Sequence, residues 1–389
     1  MAIDADVTVL GGGCAGLSLA LRLAERPGRT RRVVVLEARD AYQHDRTWCF
    51  WRQTPDRFDA LIRHRWEHLR VRSPERDVEV DCRLTPYQML ESGDFYAYVQ
   101  AVIAGQQAVR LETSVTVRGE PVRIPGGWRV ETSAGDHTTA HVIDTRPPRS
   151  PGRGDALLWQ SFLGEEVLCE QPVFAPDRAD LMEFDETTPP EVAFTYVLPL
   201  AVDRALIETT LFHPQPHHPE DLRARQRQAV AQRCRGAPYR IVRSESGILP
   251  MGLRGAPTKT RAGYVVAGLM GGGARPATGY AFQRIQVWAE RCAVALRAGR
   301  APVTHAADPR LTQWMDRLFL EVLHAEPACG PSLFTALFAN VPTPRLVRFL
   351  SDQATLLDRA CVVTALPYSI FLRQLFARLP VSGLRRDLG

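Results

Sequence analysis

Short apolar runs and helical repeats alternate from the start of the chain. Residues 6–10 (DVTVL) form a short, largely apolar run that stops at Gly11, Gly12 and Gly13. Leu17, Leu19, Ala20, Leu21, Leu23 and Ala24 follow at helical spacing, until Pro27 and Gly28 break the repeat. Residues 33–36 (VVVL) make a second buried run, closed by Glu37. Strand, glycine turn, helix and strand in succession predict a parallel βαβ unit. Farther on, Val71, Val78 and Val80 mark short alternating segments. The spacing predicts a helix over 95–104, a hairpin from 115–117 and 128–131 through Pro125, Gly126 and Gly127, and a strand at 141–144.

From residue 157 to 252 the pattern changes to short strands punctuated by prolines, 194–200 and 205–210 among them. A polar helix over 219–235 interrupts them. This predicts an antiparallel sheet. A buried-strand pattern returns at 264–269, and Gly271, Gly272 and Gly273 lead into a helix carrying Phe282, Ile285, Val287 and Trp288. Beyond about residue 304 the chain reads as helical. The expected class is α/β with an α+β insert. Residues 1–150 and 261–303 form a Rossmann-like nucleotide domain, 151–260 an antiparallel-sheet substrate domain, and 304–389 a helical C-terminal region.

Composition narrows the classes. The chain has 389 residues, 45% apolar and 23% charged, an ordinary globular balance that excludes disordered and fibrous chains. A net charge of +5 is too small to suggest a nucleic-acid binder. No run of about 20 apolar residues predicts a membrane-spanning helix. No secretory signal is visible, and the eight cysteines include no C-x-x-C pair. The expectation is a cytoplasmic protein with reduced thiols and no metal site. Residues 331–389 carry seven arginines against three aspartates in a Phe- and Leu-rich setting. Such a segment either docks peripherally on an anionic membrane surface or packs as a helical domain with solvated arginines.

Gly11, Gly13 and Gly16 have G-x-G-x-x-G spacing between a strand and a helix, and Glu37 follows Gly16 by 21 residues. The glycines permit a tight turn, a close approach of backbone to pyrophosphate, and helix–strand packing. Cys14 and Ala15 open the helix toward the anion, and the acid sits where it would bind ribose hydroxyls. The fingerprint occurs once. A late strand–glycine–helix segment, residues 265–280, contains Gly268 and a P-x-x-G from Pro276 to Gly279. A unit of that kind approaches the second phosphate and the ring of FAD, which favours FAD over a nicotinamide as the resident nucleotide.

Several further segments carry a resemblance: VTVLGGGCAGLSLALRL at the N-terminus, RTWCF at 46–50, LLWQSFLGEEV at 157–167, TYVLPLAVDRALIETTLF at 195–212, GILPM at 247–251 and RPATGY at 275–280. In this order they resemble the bacterial beta-cyclase branch of the FAD-dependent lycopene cyclase family, over almost the whole length. The resemblance implies a non-redox ring closure at the ends of an apolar carotenoid, with FAD in its reduced form and NAD(P)H as electron donor. It places Arg46, Arg275, Pro276, Thr278, Gly279 and Tyr280 at the cofactor, and Trp48, Phe194, Tyr196 and Phe212 at the substrate.

Glu208 stands in an otherwise apolar strand. From pattern alone it is either a buried acid with raised proton affinity or a solvent-facing partner of Arg204; the resemblance selects it as the catalytic acid. Two positions depart from the family. Thr209 stands where a second acid is usual, and Arg275 where many members have histidine. They leave open another linear polyprenyl substrate, or an FAD-dependent monooxygenase on the same fold.

Overall fold

The computed structural model describes residues 3–26, 32–147, 155–184, 191–254 and 261–377. The Pro27 and Gly28 stop, Pro148 and the arginines at 378, 385 and 386 lie outside them. The first strand, Ala5–Leu10, is buried at every position but one, as a strand flanked on both edges and covered on both faces must be. It runs parallel to Val33–Leu36 and to Gly135–Asp144, with Leu10 opposite Leu36 on one side and Asp144 on the other. Val109–Glu112 extends one edge in parallel. On the other side, Gly127–Thr132 and Val117–Ile124 add an antiparallel meander, and Tyr264–Val266 adds in parallel along Val142 to Asp144.

The helix Cys14–Glu25 crosses back over this sheet and buries Leu17, Leu19, Leu21 and Leu23. Each such side chain withdrawn from water contributes about 1.5–3 kcal/mol. Phe282–Arg297 packs beside it, where the buried Gln286 donates to Ser18 Oγ at 2.9 Å.

A second seven-stranded sheet has the spatial order Tyr239–Leu253, Ala156–Cys169, Arg204–His213, Val192–Ala201, Arg178–Phe184, His68–Arg72 and Asp77–Asp81. The last two strands come from within residues 1–150, and His68–Arg72 pairs in parallel with Arg178–Phe184. Their alternating Leu69, Val71, Val78 and Val80 fill the same core as Leu333, Phe334, Leu337 and Phe338 of the C-terminal helix Gly330–Asn340. A three-stranded sheet has the order Thr47–Trp51, Tyr87–Glu91 and Ile62–Trp66.

Strand periodicity divides Arg204–His213 cleanly. Ala205, Ile207 and Leu211 face outward onto the helix Pro219–Arg233, through Leu222, Ala229 and Val230. Leu206 and Phe212 face the interior. Glu208, two residues from Leu206, shares that inner face. Gln226 of the outer helix accepts from the Thr209 amide at 3.0 Å and donates to the Ile207 carbonyl at 2.9 Å, pinning the backbone on both sides of Glu208. After residue 304 the chain is helical, from Arg310–Ala325 through Tyr368–Ala377.

Candidate active site

A cavity of about 1070 Å³ runs from the first glycine turn to the inner face of the second sheet, at the large end of the range for ligand sites. Gly11, Gly13, Cys14 and Ala15 line one end. Gly11 has φ +96°, and a side chain on Gly16 would place Cβ 2.0 Å from the Gly11 carbonyl oxygen. Both positions therefore require glycine. At Gly13 a Cβ would meet nothing within 4 Å, so the space before the helix is open, and no side chain caps the helix N-terminus. Its free amides suit an anion. Burial pushes the Cys14 thiol up to about 12, so it is an inert wall of the cavity.

Glu37 accepts from the Gly12 amide at 2.7 Å and the Arg39 amide at 2.8 Å, and pairs with the Arg39 guanidinium at 3.0 Å. Burial raises its carboxyl, but the bonds from Arg39 and Gly12 outweigh that and hold it below the usual range. Glu37 thus presents an ionised carboxylate to the cavity.

Gly268, Thr278, Gly279 and Tyr280 line the cavity from the late glycine segment, and Arg46 and Trp48 from the strand Thr47–Trp51 and its approach. His305 accepts from the Gly268 amide at 3.1 Å. Burial, then Arg284 and Arg291, push its imidazole down to about 4, which keeps it a neutral acceptor. Pro276 sits inside the turn closed by the Gly279 amide on the Arg275 carbonyl at 2.9 Å.

Arg275 itself turns to the C-terminal helices. Its guanidinium pairs with Asp316 at 3.0 Å, donates to the Phe349 carbonyl and stacks on the Phe349 ring at 4.3 Å. Its charge is spent inside the fold. Trp48 stacks on Phe282 at 5.1 Å, with Phe95 and Tyr96 at its edges.

Glu208 faces the far end of the cavity, half-buried. Burial, then the charge of Glu245, push it up to about 8; a hydrogen bond donated by Thr210 Oγ1 at 2.9 Å and the charges of Arg243 and Arg46 act the other way. The direction favours the carboxylic acid, the form with a proton to give. Thr209, next in sequence, lies on the opposite face under Gln226. The second acid of the site comes instead from another strand: Glu245 on Tyr239–Leu253 accepts from Thr47 Oγ1 at 2.7 Å and pairs with Arg243 at 2.5 Å.

Sequence reading passed over Glu245, Arg243 and Thr47. The available signal was an acid and an arginine at i, i+2, two residues ahead of Gly247 in the GILPM segment, which puts both on one strand face.

A second, apolar pocket of about 250 Å³ adjoins the first, and Tyr196, Thr278 and Tyr280 line both. Tyr196 is the cross-strand neighbour of Glu208, so the acid stands at the junction. Phe212, Phe334, Phe338 and Phe349 line the pocket, while Phe194 is packed behind, against Phe184, Tyr196 and Phe212. No group of histidine, cysteine and acidic side chains among the described residues is arranged to hold a metal.

Comparison with known proteins adds the following. The family model described as lycopene cyclase protein matches residues 6–375. A lycopene beta-cyclase of Pseudescherichia vulneris is 25% identical over 387 residues, covering 93% of this chain and 94% of that protein. Among solved structures, a flavin-dependent brominase superposes with a TM-score of 0.58 at 12% identity, over 96% of this chain and 98% of that one. A geranylgeranyl bacteriochlorophyll reductase-like protein of Thermoplasma acidophilum gives 0.57 at 14%, over 97% of each chain. The p-nitrophenol 4-monooxygenase of Pseudomonas putida DLL-E4 gives 0.57 at 18%, over 95% and 99%. At these identities the structures establish the fold.

Proposed function

The chain belongs to the lycopene cyclase family, and from that membership we propose that it closes the acyclic ends of lycopene, or a related linear carotene, into beta rings without net oxidation or reduction. The observation that carries this reading is Glu208, an acid that burial holds toward its protonated form beside Tyr196, where the large cavity meets the apolar pocket.

Gly11, Gly13, Cys14, Ala15, Gly16 and Glu37 would hold the adenosine-diphosphate half of FAD, and Arg46, Gly268, Thr278, Gly279 and Tyr280 the flavin half. Held there in reduced form, with NAD(P)H as its electron source, FAD would supply an electron-rich ring able to stabilise positive charge. Glu208 gives its proton to the terminal double bond of the polyene, and the tertiary cation so formed is attacked by a neighbouring double bond. The rings of Tyr196, Tyr280 and Phe212 offer π faces to that charge. The apolar walls keep out water, which would trap the cation as an alcohol.

Expression in a lycopene-accumulating bacterium tests the reading: a yellow cyclic carotene supports it, and unchanged red pigment refutes it. The working form of Glu208 is the protonated one. With the purified enzyme, the rate of ring formation is therefore expected to be level through neutral pH and to fall as pH rises through about 8. A rate that climbs across that interval would remove Glu208 from the role.

Among the described residues no helix is long and apolar enough to cross a membrane. Trp314, Val363, Tyr368 and Leu372 line the apolar pocket and are also exposed, which makes them its mouth. Leu356, Leu357 and Phe376 are exposed on the same group of helices, with Arg359 and Arg373 also in them. We take this rim as the face that rests on an anionic bilayer in the cytoplasm and admits the carotene. Flotation with anionic vesicles should carry the protein upward, and Tyr368→Glu with Leu372→Glu should leave it at the bottom. Equal flotation of both forms would exclude this face.

A further inference from the structure

Glu245 has a geometry that charge balance alone does not explain. Gly164, on the strand between, is the register partner of Glu208 on one side and of Glu245 on the other. A methyl group at Gly164 would lie 3.3 Å from Glu208 Cβ and 3.3 Å from Glu245 Cγ. Neighbouring strands are about 4.8 Å apart, so the two acids stand on one face on either side of a residue that has no side chain, with Leu206 Cδ1 also 3.3 Å from that position. Both bonds to Glu245 fall on a single oxygen: Thr47 Oγ1 and Arg243 Nη1 reach Oε2. Among the described residues none donates to Oε1, and the side chain lines the cavity. One oxygen is anchored and the other is left as an acceptor.

The anchor is rigid. Arg243 also meets Glu166 at 2.6 Å and Glu91 at 3.5 Å, donates to Thr47 Oγ1 at 3.0 Å, and Arg204 pairs with Glu166 from the far side. Arg46, Cys49 and Tyr196 also line the cavity near the two acids, as do Tyr87 and Tyr280.

Resting on the cyclase reading, we propose that Glu245 is the base that takes up the proton released when the ring forms, with Glu208 as the acid across Gly164. Protonation by Glu208 makes one C–H bond and leaves its carboxylate. The electron pair of the neighbouring double bond makes the ring C–C bond. A C–H bond next to the new cation then breaks, its electron pair becomes the ring double bond, and its proton goes to Glu245 Oε1. One proton enters and one leaves, with no redox change. When the product leaves, Glu245 gives its proton to water and Glu208 takes one up from water, which restores both groups. A cyclised cation has more than one neighbouring C–H bond, so the place of the base decides where the double bond ends.

The test is the ring isomer. Wild type, Glu245→Gln and Glu245→Leu are expressed in the lycopene-accumulating host, the pigments are resolved by chromatography, and the purified proteins are melted. Wild type should give one double-bond isomer. Glu245→Gln should form rings on the order of 10²-fold more slowly, and those rings should be mixed in double-bond position. Arg243 keeps Glu166 and Glu91 as partners when Glu245 is changed, and Glu245→Leu, which places an apolar group in a buried position, gives the same readout should the amide unfold the protein. A folded variant that makes the wild-type isomer at the wild-type rate overturns the assignment of Glu245 and leaves the cyclase reading standing. Absence of rings from wild type overturns both.

Discussion

Glu208→Gln is expected to lower ring formation by on the order of 10²–10⁴-fold while leaving the fold and the cofactor cavity intact. The amide keeps the shape of the side chain and can still accept from Thr210 Oγ1, which lies 2.9 Å from Glu208 Oε1. It has no acidic proton to give. Folding should not suffer, because burial disfavours the ionised carboxylate and an uncharged amide escapes that cost. Above about pH 8 the variant should melt no lower than wild type. The measurements are pigment chromatography, thermal melting and flavin content of the purified protein. Full ring formation by Glu208→Gln would end the proposed mechanism. Loss of flavin together with activity would show that Glu208 serves the cavity and not the proton transfer.

The second large effect is one of stability. Arg275→Met removes a buried guanidinium and strands Asp316, which is buried and whose proton affinity burial already raises against the pull of Arg275. Breaking a buried pair from one side costs about 3–5 kcal/mol, whereas replacing both partners by apolar groups of similar size is near neutral or stabilising. Denaturant unfolding should therefore show a large loss for Arg275→Met and recovery in Arg275→Met/Asp316→Leu. The folded fraction of either variant should bind flavin as wild type does. If Arg275→Met instead keeps its stability and loses flavin, the guanidinium serves the cofactor, as the sequence resemblance implies, and the ion pair is incidental.

Arg275 also shows where reading along the chain stops. In sequence it stands beside Pro276, Thr278 and Gly279, and Thr278 and Gly279 do line the cavity. Its own partners, Asp316, Phe349 and Asp352, lie 41, 74 and 77 positions away, two in helices and one in the turn after them, and no local pattern ties them to it. Glu245 shows the same limit from the other side. The search for a second acid looked to Thr209 beside Glu208, but adjacent strand residues face opposite ways. The acid that shares the face lies two strands over, across Gly164.

What the sequence by itself determined is whatever has a short period or a local steric cause. The glycine turn, the buried runs at Ala5–Leu10 and Val33–Leu36, the helix behind them and the solitary acid in Arg204–His213 are all of this kind. The ordered motifs that matched a family belong here too. What only the tertiary structure decided is which distant groups meet: the Glu208–Gly164–Glu245 face, the Arg243 network, the turn of Arg275 away from the large cavity and the apolar pocket closed by C-terminal helices. The physical reason is range. Backbone sterics and amphipathic spacing act within a few residues, whereas strand register and charge pairing join residues that the chain brings together only on folding.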